Sequence, residues 1–381
     1  AELNVNSNIS GPEHLLRPKQ YPVPYNEATR KVLTTRMLGI DFKRTKLYTM
    51  SDTEIRSYST LDASDSFVSL YTLPAGRLFN QMYFSEFLPS GRIIALTYAS
   101  GGGSEEIILS NVFTDQTDIT FTKVLDIQDG AAVTPWAGWD VHNDIVVLGE
   151  WGNPVSGAGK VYLSIDKGLN FTEIFQVPIT DSNNVAHVHD VCYDPYTKAI
   201  WVTTGDVNNS AIYYTYDFGI VWHKIEIGTM QFFGISATPW SILVGTDKSP
   251  NGVFAISKDL TKEKQIFTFE DLKQRYSFDY QDTLTYLTTK FKYYNGAWYA
   301  GTVQTSAYQG YHCILATKDG WNIFPVYREH KLNTTTKPYG GFQRIVYGTP
   351  TDGVPTAYAL YNNQDSVREF LTIPLPEWVA L

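Results

Sequence analysis

Two histidines one residue apart, in Ala186-His187-Val188-His189-Asp190-Val191-Cys192-Tyr193, are the sharpest chemical feature of the chain. Alternate residues of an extended strand share a face, so His187, His189 and Tyr193 are expected on one side, with Asp190 and Cys192 on the other. Two such imidazoles suit a metal only if further ligands arrive from elsewhere, with His142, Glu150 and Asp206 the candidates. They suit general acid–base work beside a tyrosine or a carboxylate, which makes His187, His189, Glu150 and Asp206 the catalytic set if the protein is an enzyme. They also suit a polar channel lining, or a ligand site without chemistry. That last reading demands least, and neither a metal nor a cofactor is expected.

Tryptophans supply a second signal. Trp136, Trp139 and Trp151 lie close together in sequence, and flat indole faces stack on sugar rings when they line a rim; ordinary packing is the competing account. The ligand-binding set expected on that rim is Trp136, Trp139, His142, Trp151, Asp247, Gln304, Tyr308 and Arg344. Trp201, Trp222, Trp298 and Trp321 are assigned to packing. The chain contains no Gly-x-x-x-x-Gly-Lys-Ser/Thr loop, Gly-x-Ser-x-Gly elbow, His-Glu-x-x-His or Cys-x-x-Cys, which removes the common phosphate, acyl-transfer and zinc motifs. Cys192 and Cys313 sit in apolar runs and read as buried thiols, without a disulfide framework.

The elements that must position these residues are repeats. Ser164-x-Asp166-x-Gly168-x-x-Phe171 and Thr215-x-Asp217-x-Gly219-x-x-Trp222 share one frame, which returns as Thr60-x-Asp62-x-Ser64-x-x-Phe67 and Thr317-x-Asp319-x-Trp321-x-x-Phe324. Eroded copies lie around Gln116, Asp259 and Asn363. From Asp62 through Gln116, Asp166, Asp217, Asp259 and Asp319 to Asn363 the intervals are 54, 50, 51, 42, 60 and 44 residues. A period near 50 is that of a four-stranded propeller blade. Strand-like runs such as Lys160-Val161-Tyr162-Leu163 precede most boxes, bounded by Gly, Asn, Asp and Pro turns. In each box the Asp accepts from backbone N–H groups ahead of it, Gly supplies a left-handed angle, and the aromatic plugs a gap between sheets.

On those residues the chain resembles the Asp-box (BNR-repeat) β-propellers of the sialidase-like superfamily. The resemblance implies an all-β fold: a single β-propeller over residues 41–381, with seven four-stranded blades and six as the alternative, and an extended strap over residues 1–40. It makes Asp62, Asp166, Gly168, Phe171, Asp217, Gly219, Trp222, Asp319 and Phe324 structural. Sialidases themselves are similar in an Arg-Ile-Pro motif and an arginine triad; the nearest run here, Gly91-Arg92-Ile93-Ile94, lacks the Pro, so sialidase activity is not expected.

The charge, 30 basic against 39 acidic residues for a net −9, excludes nucleic acid as a default partner, because a phosphate backbone is bound by clustered Lys and Arg. No window approaches the ~18 apolar residues that a membrane helix needs, so membrane insertion is not expected. The start, Ala1-Glu2-Leu3-Asn4, carries no export signal; compartment stays open between a virion and secretion after signal removal. Four prolines in residues 11–25 read as the strap, lying on the propeller or assembling with another subunit. Residues 269–285 read as a helical insertion, and residues 371–375 as a strand that closes the ring.

If the boxes join third to fourth strands, they mark one face, and the fourth-to-first and second-to-third loops form the other. The working site is expected on that other face. The expected function is non-catalytic: a recognition or structural propeller that binds a glycan or a protein surface, as a tail, virion or surface-adhesion component. The alternative is a carbohydrate-active enzyme, a polysaccharide lyase or glycoside hydrolase, built on the His187/His189 cluster.

Overall fold

The computed structural model describes residues 16–18, 28–32, 36–40, 46–61, 63, 66–79, 84–101, 105–113, 118–127, 132–133, 138–152, 159–178, 187–205, 210–227, 230–247, 251–271, 286–304, 310–331, 340–349, 353–363 and 367–380. Within them the chain is a seven-bladed β-propeller of antiparallel sheets. Blade 1 comprises Arg36–Ile40, Leu47–Met50, Glu54–Tyr58 and Val68–Thr72. Blade 4, the most regular, comprises His187–Tyr193, Ile200–Gly205, Ala211–Thr215 and His223–Ile225. The first strands of blades 2, 3 and 6 are each broken in two: Arg77–Phe79 with Ser85–Phe87, Ala132–Val133 with Trp139–His142, and Tyr286–Thr288 with Lys292–Tyr294.

Alternation within the strands determines what each blade buries. In the second strand of blade 3, Val146 and Leu148 enter the gap toward blade 2, while Val147 enters the gap toward blade 4. Both faces of a blade are therefore apolar, and the buried residues fall into seven clusters, one per gap. Each fully buried Leu, Val or Phe contributes about 1.5–3 kcal/mol. The cluster of Leu47, Tyr58, Tyr358, Leu360 and Phe370 joins blade 7 to blade 1 and makes the ring closed.

Closure is made by the N-terminal segment. Blade 7 is Gly340–Gly348, Thr356–Asn363 and Val367–Pro374, and its fourth strand is Thr29–Val32, paired Thr29↔Thr372 through Val32↔Glu369. Leu16–Pro18 pairs in turn with Trp378–Ala380. The division at residue 40 does not match the sheet order: residues 29–32 close blade 7 and residues 36–40 open blade 1. Residues 371–375 overlap the third strand of blade 7, which receives the closing strand. One consequence corrects the repeat count. Asn363 ends a second strand, and the third-to-fourth junction of blade 7 links distant parts of the chain, so it has no box turn.

The remaining box turns do join third to fourth strands. Ser164 Oγ donates to Asp166 Oδ1 (2.7 Å) and accepts from Gly168 N–H (3.0 Å). Asn170 N–H and its side-chain amide bond the two Asp166 oxygens at 3.0 and 2.7 Å. Thr215, Asp217 and Gly219 repeat this arrangement, with Gly219 at φ +100°. Trp222 caps it by donating from Nε1 to Ile174 O of blade 3 (2.9 Å). At Asp319 the turn is one residue shorter: Gly320 carries the left-handed angle (φ +70°) and Asn322 replaces the fourth residue on. Trp321 and Ile323 then fill the gap toward blade 5, and Phe324 faces blade 7 against Trp378. Asp62 lies outside the described residues, as does most of the expected helical insertion beyond the single turn at residues 269–271.

Candidate functional site at the box-side mouth of the channel

The first strands converge on the propeller axis, and polar side chains tie them together at one level. Asp190 of blade 4 accepts from Gly138 N–H of blade 3 (2.8 Å), its own Val191 N–H (2.7 Å) and Ile235 N–H of blade 5 (2.7 Å). Asp140 of blade 3 accepts from Val141 N–H (3.0 Å) and from Tyr193 N–H of blade 4 (2.8 Å). Ser236 of blade 5 accepts from Phe291 N–H of blade 6 (2.7 Å), and Glu86 of blade 2 accepts from Trp139 Nε1 of blade 3 (3.2 Å). Blades 2, 3, 4 and 5 thus each present an acceptor to the next blade.

Three cations complete the network. Lys290 of blade 6 is 3.1 Å from Asp190 and 3.9 Å from Asp140, and donates to the carbonyls of Trp139 and Val191. Burial works against its ammonium, but Asp140 and Asp190 outweigh that and hold its pKa above the usual lysine value. Arg344 of blade 7 donates to Ser85 and lies 3.1 Å from Glu86. Lys292 is 3.4 Å from the same carboxylate. Burial alone would raise the Glu86 pKa; Lys292 and Arg344 hold it below the usual glutamate value.

Above this network opens a cavity of about 400 Å³. Its walls are Phe87, Trp139, Tyr193, Tyr196, Tyr293 and Trp298, and its polar lining is Glu86, Asp140, His142, Lys290 and Lys292. Tyr196 and Tyr293 stand at its edge, 43% and 59% exposed. The cavity belongs to the same face as the boxes, because its lining comes from the ends of first strands and the first-to-second turns. The contact of Lys167 N–H in one box with Asp144 O in such a turn (2.9 Å) makes the face continuous. Lys258, in the box turn of blade 5, pairs with buried Asp194 beneath Tyr196 and lies 5.4 Å from that ring.

The sequence-based site is divided by the fold. His187 pairs with Gly205 at the far end of blade 4 from Asp217, so the histidines do lie away from the boxes. They are buried: the rings are 4.7 Å apart, His187 stands edge-on to Trp151 at 5.2 Å, and His189 Nδ1 meets Phe232 O. A bulge between Val188 and Asp190 breaks the expected alternation and turns His189 over Gly205, where a Cβ would come within 2.0 Å of the ring. Glu150 is on the other side of its blade from His187: Trp151 faces blade 4, so its neighbour Glu150 faces blade 2. There Tyr162 Oη and Lys160 N–H bond it at 2.9 and 3.3 Å. Burial, with Glu150 adjacent, pushes the Tyr162 phenol well above its usual pKa and keeps it a donor. His187, His189 and Glu150 therefore do not converge as a catalytic set. Asp206 lies outside the described residues.

The expected tryptophan rim is also split. Trp139 pairs with Leu148 and His142 with Ile145 at the tip of one hairpin, which puts His142 on the box face and Trp151 at the opposite end. Trp139 is buried under Arg344, 5.8 Å from its ring, and the His142 ring lies tilted against Tyr193 at 5.7 Å. Arg344 follows a bulge in mid-strand and enters the channel instead of a rim loop. Asp247 is half-buried, its N–H on Gln231 O at 2.8 Å, away from the cavity lining. Gln304 is described as backbone only, pairing with Gly340 and Tyr286, while Trp136 and Tyr308 lie outside the described residues.

Glu86, Lys290, Lys292, Tyr196 and Tyr293 were missed by sequence reasoning. One signal was present: Glu86, Asp140, Asp190 and Ser236 recur at intervals of 54, 50 and 46, in phase with the boxes. Among the described residues no group of three or more His, Cys, Asp or Glu is arranged to hold a metal, and no helix is long and apolar enough to cross a membrane.

No protein-family model matches the chain, and no curated protein does. Solved structures do. The N-terminal domain of Nup159 is similar at 10% identity and TM-score 0.52, over 93% of this chain and 97% of that one. The extracellular domain of the one-component system BT4673 from B. thetaiotaomicron is similar at 12% identity and TM-score 0.50, over 91% of this chain; this chain spans 40% of that one. At these identities the likeness shows the propeller fold and nothing finer.

Proposed function

We propose that the protein is a recognition propeller that holds a glycan residue at the box-side mouth of its channel without cleaving it. The observation that carries this reading is the cavity of about 400 Å³ rimmed by the part-exposed rings of Tyr196 and Tyr293. Aromatic faces offered to water beside polar groups suit the apolar faces and hydroxyls of a sugar ring. Catalysis by the carboxyls of the cavity would need one of them poised near the working pH. Glu86 and Asp140 are instead committed to hydrogen bonds and cations, and Glu86 is held well ionised.

Calorimetric titration with a panel of oligosaccharides is the test, read together with the release of new reducing ends. Binding by the native protein, weakened at least about tenfold by Tyr293→Ala, with no new ends formed, is the expected result. Turnover of any bound sugar, or binding indifferent to both Tyr293→Ala and Tyr196→Ala, would retire the reading.

A further inference from the structure

Beneath the outer cavity lies a second, inner space of about 40 Å³, lined by Trp139, Thr289, Gly301, Phe342, Ile345 and Tyr347 together with Lys290, Lys292 and Arg344. Trp139, Lys290 and Lys292 line both spaces, so the inner one is the floor of the outer. Its lining holds three cationic side chains and no acidic one. Glu86, Asp140 and Asp190, which neutralise these cations, sit outside that lining.

Arg344 is the decisive group. Its Nη1 is spent on Ser85, and its Nη2 is 3.1 Å from Glu86 without hydrogen-bond alignment. Its Nε is buried and makes no hydrogen bond. A buried guanidinium N–H left without a partner is costly, and the cost is removed by an acceptor in the adjoining space. Lys292 points the same way: it is 40% exposed, its single carboxylate contact is long at 3.4 Å, and Glu86 is already shared with Arg344 and Trp139. An ammonium has three protons to donate. A space of about 40 Å³ exceeds the roughly 10–15 Å³ that one water molecule needs. It therefore admits a carboxylate head or a halide.

We propose that the inner space is a compact monoanion site, taken by the carboxylate of a sugar acid seated in the outer cavity or by a free halide. This deepens the glycan reading and rests on it only for the sugar arm. In the bound state Arg344 Nε and Lys292 Nζ donate to the anion, and Trp139 with Phe342 closes it off from water.

The test is calorimetry with glucuronate, glucose and acetate, and with chloride at an ionic strength held by methanesulfonate, on the native chain, Arg344→Gln and Lys292→Gln. A ligand carboxylate is indicated when glucuronate binds at least about tenfold more tightly than glucose and both variants, or Lys292→Gln alone should Arg344→Gln fail to fold, abolish the difference. A free-ion site is indicated when chloride and acetate bind, lose affinity in the same variants, and glucuronate is no tighter than acetate; the glycan reading then falls while the anion site stands. Glucuronate and glucose binding equally, with no response to chloride, overturns the anion site and leaves the recognition reading in place. Anion affinity unchanged in the folded variants also overturns it.

Discussion

Replacing Lys290 by Met removes a side chain that ties blade 6 to blades 3 and 4 across the channel, and its cost can be worked from the contacts. Asp190 keeps three backbone donors, Gly138, Val191 and Ile235, so it loses a counter-ion and not its whole shell. The carbonyls of Trp139 and Val191 lose a charged donor. Breaking a buried pair by removing one partner costs about 3–5 kcal/mol, and Met recovers little because it cannot satisfy either carbonyl. For 381 residues, at about 2 cal/mol/K per residue, a loss of about 4 kcal/mol lowers the melting midpoint by about 5 °C. Urea unfolding followed by tryptophan fluorescence measures the increment, and Asp190→Asn with the double variant measures the coupling. The pH dependence has a definite sign. The Lys290 pKa is raised in the folded protein, so its contribution is complete below the ordinary lysine value of 10.5 and is lost as pH rises through the higher folded value. The native protein should lose stability there relative to Lys290→Met, which has nothing to titrate. A Lys290→Met cost under about 1 kcal/mol, or a coupling near zero, would refute the idea that the axial network holds the ring.

Two further outcomes follow from local geometry. Gly205→Ala places a methyl group against the His189 ring, with a Cβ 2.0 Å from Cε1, and should destabilise by about 1–3 kcal/mol; unfolding of the Gly205→Ala, His189→Ala pair should show most of that cost restored, and no restoration would mean that the clash is elsewhere. Asp166→Ala leaves Asn170 N–H and the Ser164 hydroxyl without their acceptor and should cost about 1–2 kcal/mol with sugar affinity unchanged by calorimetry; a large loss of affinity at constant stability would give the box a functional role.

Much of the architecture was legible because it rests on local physics. A Ser/Thr, an Asp and a Gly at fixed spacing make a self-capping turn whatever surrounds it, so Asp166 and Asp217 could be read as turns from the string alone. The eroded copies show where that ends: around Asn363 a frame persists in sequence, but the strand before it is a second strand. Nothing local reveals this, since the blade is completed by Thr29–Val32 from the opposite end of the chain.

The candidate site was legible only in part, for a related reason. His187 and His189 looked like chemistry because their types and spacing are those of a site, yet one bulge and one glycine turn them into packing. Nothing local marks Lys290 and Lys292, two residues apart in the sequence, and only the meeting of three blades on one axis makes them the floor of a cavity.

What the amino-acid string determined by itself was the strand and turn chemistry and the all-β class, because each depends on residues within one hairpin of one another, together with the period at which those turns recur. What the tertiary structure alone decided was the ring's closure, the face on which the cavity opens and the partners of Glu86, Asp190, Lys290 and Arg344. Those depend on side chains up to 259 residues apart, Ser85 with Arg344 among them, and a contact of that range exists only when every blade between them has been packed into place.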